Sequence, residues 1–324
     1  MADAIRVAKD KGYTMGNSLR AIIVIGSTIA LIAGIVFGYN PAQTYVFHHT
    51  KNMSPRYFRY SNLIESPVLE GSATSVPILL YHGVVAEQDG VNTSQASFVD
   101  QMEWLKRSGF QTISAKEYLQ FRRGRFTLPA RPVIITFDDG RKDSYYPTDE
   151  VLQALGFKAT ICVVTARMDE EPNFYLTWNE LAKMRDCGRW EIEAHGHHSH
   201  DKISGNGLYL SSRLPNEDDA AFTQRLADDH DTCIRLLKEH LGIDAHFYAI
   251  PFTDYGASGS INPDPSAFLI NERVVEQRFD LAFGHYGELP INTATSNGYR
   301  LSRIEALDTP GEELVKIMVA TNGF

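Results

Sequence analysis

The run Val133-Ile134-Ile135, closed by Thr136-Phe137-Asp138-Asp139-Gly140, constrains the fold more than any other stretch of the chain. It is apolar without alternation, so both of its faces must be buried. A strand buried on both faces belongs to a parallel sheet covered by helices. The glycine then turns the chain and leaves two adjacent carboxylates at the carboxyl end of the strand, where α/β folds place their ligands. One carboxylate there can bind a cation while its neighbour accepts a proton. About sixty positions on stands Glu193-Ala194-His195-Gly196-His197-His198-Ser199-His200-Asp201, with four histidines in six positions to supply neutral nitrogen ligands. Together the two clusters look like a metal-dependent hydrolase site.

The rest of the pattern alternates strand with helix. A strand at Pro77 to His82 precedes helices at Phe98 to Lys106 and Ser114 to Arg122, the latter opened by a capping box of Ser114 with Glu117. The strand Val133 to Phe137 precedes a helix ending at Gly156. The strand Ala159 to Val164 precedes a helix that opens with Thr177-x-x-Glu180 and stops near Gly188. Trp190 to Ala194 reads as the strand that delivers the histidines, Asp218 to Leu241 as a long helix capped by Gly242, and His246 to Pro251 and Phe279 to Phe283 as further strands. Such alternation predicts right-handed βαβ units and a parallel sheet, open or closed into a barrel. The segments 204–216, 253–266 and 284–298 are rich in Gly, Pro and Asn and read as loops that build a substrate groove.

At 324 residues the chain has room for one catalytic domain of barrel size plus an anchor. Residues Ala21 to Phe37 carry no charge and give about 27 Å of helix if extended through Gly38, just long enough to span a bilayer. Arg6, Lys9, Lys11 and Arg20 precede that run and hold the amino end in the cytoplasm by the positive-inside rule. The expected organisation is a cytoplasmic segment 1–20, a transmembrane anchor 21–38, a stalk or strap 39–75 and an extracytoplasmic catalytic domain 76–324. A cleaved signal peptide and a buried core helix are the alternatives; Gly38-Tyr39-Asn40-Pro41 makes a poor cleavage site. The net charge of -9 lacks the basic footprint that nucleic acid demands. Three cysteines, Cys162, Cys187 and Cys233, form neither a disulfide framework nor a thiolate metal site and read as small buried hydrophobes.

From Val76 onward the chain resembles the polysaccharide deacetylases of the NodB-homology type, carbohydrate esterase family four. The likeness is carried by the opening strand Val76 to Val84, the Thr-Phe-Asp-Asp-Gly motif, the histidine cluster, Pro251-Phe252 and Leu301-Ser302-Arg303-Ile304. It implies an α/β fold, a distorted (β/α)7 barrel, with Asp138 as general base and Asp139 joining two histidines on a divalent cation, usually zinc. Four positions beyond His195 stands Ser199, so the usual ligand spacing fails. The five-residue spacing resembles the subgroup acting on poly-β-1,6-N-acetylglucosamine and assigns His195 and His200, with His197 or His198 as the alternatives. The resemblance puts substrate contacts at Pro251, Phe252 and Tyr255, and an N-acetylated polysaccharide as the partner. Asp-His-His ligation accepts zinc, cobalt and nickel.

Two of the family's parts lack a clear match. The acid that protonates the departing amine falls to His82, at the carboxyl end of the opening strand, or to His285; His82 reads equally well as a structural histidine. The arginine that orients the base is absent, with Ala249 in that region. Arg303 is a substitute, although an arginine in a strand more often simply pairs with a carboxylate. These gaps keep open an O-acetyl esterase on the same fold and a carbohydrate-binding module without turnover. Oligomeric state is not legible in the sequence.

Overall fold

The computed structural model describes residues 64–203, 207–258, 260–284 and 291–324. The expected cytoplasmic segment and anchor, most of the stalk, and His285 lie outside the described residues. Among the described residues no helix is long and apolar enough to cross a membrane.

Seven parallel staves form a nearly closed barrel: β1 (Ile78–Tyr81), β2 (Pro132–Phe137), β3 (Ala159–Val163), β4 (Trp190–Ala194), β5 (Phe247–Ala249), β6 (Leu281–Gly284) and a last one made of two short pieces, β7 (Leu301–Ser302) and β8 (Ile304–Glu305). Each stave pairs with the next in chain order, from Ile78 opposite Ile134 through Tyr248 opposite Ala194 to Phe283 opposite Leu301. The ring closes within five residues. Leu301–Ser302 pairs with β6, Ile304–Glu305 pairs with β1, and Arg303 sits at the seam between them. A residue at that seam faces the first and the last staves at once.

The flanking helices start and stop where their caps dictate. Ser114 and Thr177 complete capping boxes with Glu117 and Glu180. Gly156 and Gly242 end the helices Asp149–Leu155 and Asp219–Leu241 in the left-handed conformation that favours glycine. The apolar faces of these helices meet the outer face of the barrel in one core that includes Phe98, Met102, Leu152, Leu181, Phe222 and Leu237, all at 0% exposure. A second cluster, with Ile78, Ile134, Phe247 and Phe283, is built from alternate residues of the staves.

Four expectations need correction. Helix Pro265–Glu276 begins inside a stretch that reads as loop, capped by Asp264 with Pro265 at its first position. Helix Gly311–Asn322 closes the chain without having been expected. Ser75–Val76 pairs antiparallel with Asn292–Thr293, so part of the segment 284–298 edges the fold instead of forming free loop. Cys187 is exposed; only Cys162 and Cys233 are buried.

Candidate active site

Asp138 and Asp139 follow β2 directly, at the carboxyl ends of the staves. Asp139 adopts φ 74° and Gly140 the same, a left-handed pair that reverses the chain and points the two carboxylates apart. A non-glycine residue held there stores strain of the kind that gathers at functional sites. Gly140 has no freedom to change, because a Cβ would lie 2.9 Å from Val163 Cγ1.

Asp138 is 3% exposed and faces Arg303 across the barrel mouth. The guanidinium grips it with both prongs, Nη1 donating to Oδ1 at 2.8 Å and Nη2 to Oδ2 at 2.7 Å. Burial on its own would raise the pKa of this carboxyl. The positive charge of Arg303, with smaller help from His195 and His82, lowers it instead and keeps Asp138 ionised. An arginine thus does pair with Asp138, and it comes from the seam of the barrel instead of the segment before Pro251.

Asp139 looks the other way. Its Oδ1 lies 3.4 Å from His195 Nε2 and 3.3 Å from His200 Nε2, while its Oδ2 lies 3.9 Å from Arg141 Nη1. Arg141 is itself fixed by a two-pronged bond to buried Asp143. Burial would raise the Asp139 pKa, and the two imidazoles hold it well below the ordinary carboxylate range.

His195 decides what these three groups can hold. Its Nδ1 is 2.8 Å from the carbonyl oxygen of Ala249, and a carbonyl only accepts, so Nδ1 carries a proton; burial would lower the pKa of the ring, and the charges of Asp138 and Asp139 raise it. Nε2 faces Asp139 Oδ1 at 3.4 Å, so the ring donates to that carboxylate when it is charged and offers a lone pair to a cation when it is neutral. The donor set of one carboxylate and two imidazoles, with ligand atoms within 4.8 Å of one another, fits a divalent cation with one position left open.

The other two histidines of the cluster turn away. His197 Nδ1 meets Thr165 Oγ1 at 3.0 Å, and His198, half exposed, meets Asp201 at 2.9 Å. His82 lines the same cleft of about 380 Å³ as Asp138, Asp139, His195 and His200, and its Nδ1 is buried without a hydrogen bond.

Pro251 is buried, and behind it Phe252 turns outward at φ 56°, 44% exposed, with its ring 4.4 Å from the ring of His200. Phe252 therefore walls the cleft beside the metal candidates. Tyr255, expected in the same wall, is instead 3% exposed, packs on Phe268 and lines a second cleft with Pro263 and Arg300.

Residues 126–259 match the family model for polysaccharide deacetylase. The poly-beta-1,6-N-acetyl-D-glucosamine N-deacetylase of Staphylococcus aureus (strain MRSA252) is 27% identical over 230 residues, covering 69% of this chain and 71% of that protein. Among solved structures, a de-N-acetylase from Aggregatibacter actinomycetemcomitans aligns with TM-score 0.64 at 17% identity, over 75% of this chain and 99% of that one. IcaB from Ammonifex degensii aligns with TM-score 0.58 at 21% identity, over 79% and 100%. At such identities the two structures attest the shared fold.

Proposed function

We propose that this chain, a member of the polysaccharide deacetylase family, removes N-acetyl groups from N-acetylglucosamine units of a polysaccharide, with poly-β-1,6-N-acetylglucosamine as the favoured polymer. The observation that carries the reading is the split of two adjacent carboxylates. Asp139 shares its Oδ1 with the Nε2 atoms of His195 and His200, and Asp138 is held ionised by Arg303 in the same cleft.

Asp139, His195 and His200 would hold a divalent cation, with zinc favoured and cobalt or nickel as alternatives. Such an ion, when bound, polarises an acetyl carbonyl and lowers the pKa of water. The rest falls to the side chains. Asp138 accepts a proton from the water that attacks the carbonyl carbon, a task for a carboxylate already ionised at neutral pH. Arg303 keeps both of its oxygens oriented. The carbon–nitrogen bond then breaks, and His82 supplies the proton that lets the sugar nitrogen leave as an amine while acetate departs. A backbone N–H of the Pro251-Phe252 turn is the candidate donor for the transient oxyanion. Phe252 offers an apolar wall for the sugar ring.

The reading predicts acetate release from poly-β-1,6-N-acetylglucosamine that is lost on stripping the metal and restored by zinc or cobalt. A panel that includes chitin oligomers, peptidoglycan and O-acetylated xylan tests it. Release from O-acetyl esters alone would make this an esterase, and glycan binding with no release from any substrate would make it a binding module.

A further inference from the structure

We infer that Asp229, on helix Asp219–Leu241, is a positioning residue that fixes the loop between the two histidine ligands and so the place of His200. The inference rests on the metal reading above. Asp229 is 4% exposed and stands opposite the loop that joins His195 to His200. Its carboxylate accepts three donors from that loop. Oδ2 takes the backbone N–H of His197 at 3.1 Å and the hydroxyl of Ser199, and Oδ1 takes the backbone N–H of His198.

The loop is clamped from the other side as well. The backbone N–H of Thr165 donates to the carbonyl of Gly196 at 3.0 Å, and Thr165 Oγ1 meets the His197 ring. Gly196, at φ 85°, lies so close to this clamp that a Cβ would press on the side chain of Ser199 and reach within 3.1 Å of Asp229 Oδ2. The loop therefore folds around the carboxylate and has no room to slide.

The two ligands depend on this clamp unequally. His195 is oriented by its own ring bond to Ala249. Among the described residues His200 has no such bond to Nδ1; its ring leans on Phe252, and the path of the loop sets where its Nε2 points. Two intervening peptides, those of His197 and His198, end on Asp229. The path of the loop that brings His200, five positions on, back to Asp139 is thus held by a side chain on another helix, acting through backbone hydrogen bonds.

Asp229→Asn tests this at constant size. In either orientation of the amide its NH2 faces a backbone N–H, of His198 in one and of His197 in the other, so the loop must give way. Loss of such an outer hydrogen-bond partner lowers metal affinity by roughly 10–100-fold. The measurement is chelator competition for Zn2+ and the visible absorption of the Co2+ form, neither of which involves turnover. The expected result is a 10–100-fold weaker Kd and altered cobalt bands in a folded variant, with folding checked by circular dichroism. A purely structural role would lower Tm and leave Kd and the cobalt bands of the folded protein unchanged; that outcome overturns the inference. Should Asp229→Asn not fold, Ser199→Ala removes one of the three donors without stranding a charge. A several-fold loss of affinity then supports the inference and an unchanged Kd overturns it. Wild-type protein that binds no metal would instead overturn the functional reading beneath it.

Discussion

Asp138 and Asp139 are neighbours in sequence, almost equally buried, and both held ionised, yet they belong to different machines. Asp138 is matched by one full positive charge through two short hydrogen bonds. Asp139 is matched by two imidazole nitrogens and a more distant guanidinium. The first arrangement completes the pairing of a carboxylate, which under the proposed function accepts a proton. The second gathers a carboxylate oxygen and two imidazole nitrogens at one point, the set that under the proposed function would hold a cation. The left-handed turn at Asp139 and Gly140 makes the difference, because it sends consecutive side chains into separate environments.

The largest effects should come from breaking each carboxylate separately. Asp138→Asn should lower acetate release by about 10²–10⁴-fold, the usual weight of a positioned base, and leave the zinc Kd nearly unchanged. Asp139→Ala should lose the metal itself. Titration of both variants with zinc beside an acetate assay checks the pair. Equal metal loss in both would mean that the two carboxylates share one role.

Replacement of Arg303 sharpens the Asp138 side. Arg303→Met leaves a buried carboxylate without its partner, a change that costs about 3–5 kcal/mol of stability. The pKa of Asp138 is lowered in the native protein, so its ionised form contributes stability that is present above the unfolded value of about 3.9 and is lost as pH falls through the folded value. In the variant, burial prevails and the sign reverses. Asp138 then holds its proton to higher pH, and the acidic limb of kcat/KM should move upward. An unmoved limb with only a lower Tm would reduce Arg303 to a structural role. Arg303→Lys keeps the charge but not the two-pronged grip and should fall between.

The two machines were also unequally legible. The meeting of Asp139 with His195 and His200 could be read because these residues arrive in short motifs, each at the end of one stave. The apolar run before Asp138 required a strand buried on both faces, and that strand is β2. Arg303 could be noticed in the sequence but not placed, since its role exists only once the barrel closes and the chain breaks pairing between Ser302 and Ile304. Asp229 carried even less signal: a helix position 30 residues from Ser199 looks like any polar residue until the loop wraps it. Helix Pro265–Glu276 was hidden for a local reason. Asp264-Pro265 reads as a turn, although the same two residues make an N-cap and a first helical position. Tyr255 was misplaced because proximity to Phe252 in sequence says nothing about which side of a left-handed pair, Phe252 and Thr253, a side chain leaves on.

The smallest expected effect tests which histidines belong to the metal side at all. His198 lies two residues from His200 and three from His195, and by spacing alone it could replace either. Its side chain is 51% exposed, and its Nδ1 is directed at Asp201 instead of Asp139. An exposed pair of this kind contributes about 0–1 kcal/mol. Surface substitutions of that class stay within about 0.5 kcal/mol, roughly a twofold change. His198→Ala should therefore leave the zinc Kd and acetate release within about twofold of wild type, while its backbone N–H still reaches Asp229. His200→Ala, two positions on, removes one of three ligands and should weaken zinc binding far more. A large loss in His198→Ala with little in His200→Ala would exchange the two residues, and the five-residue spacing that separates this site from the usual motif would be wrong.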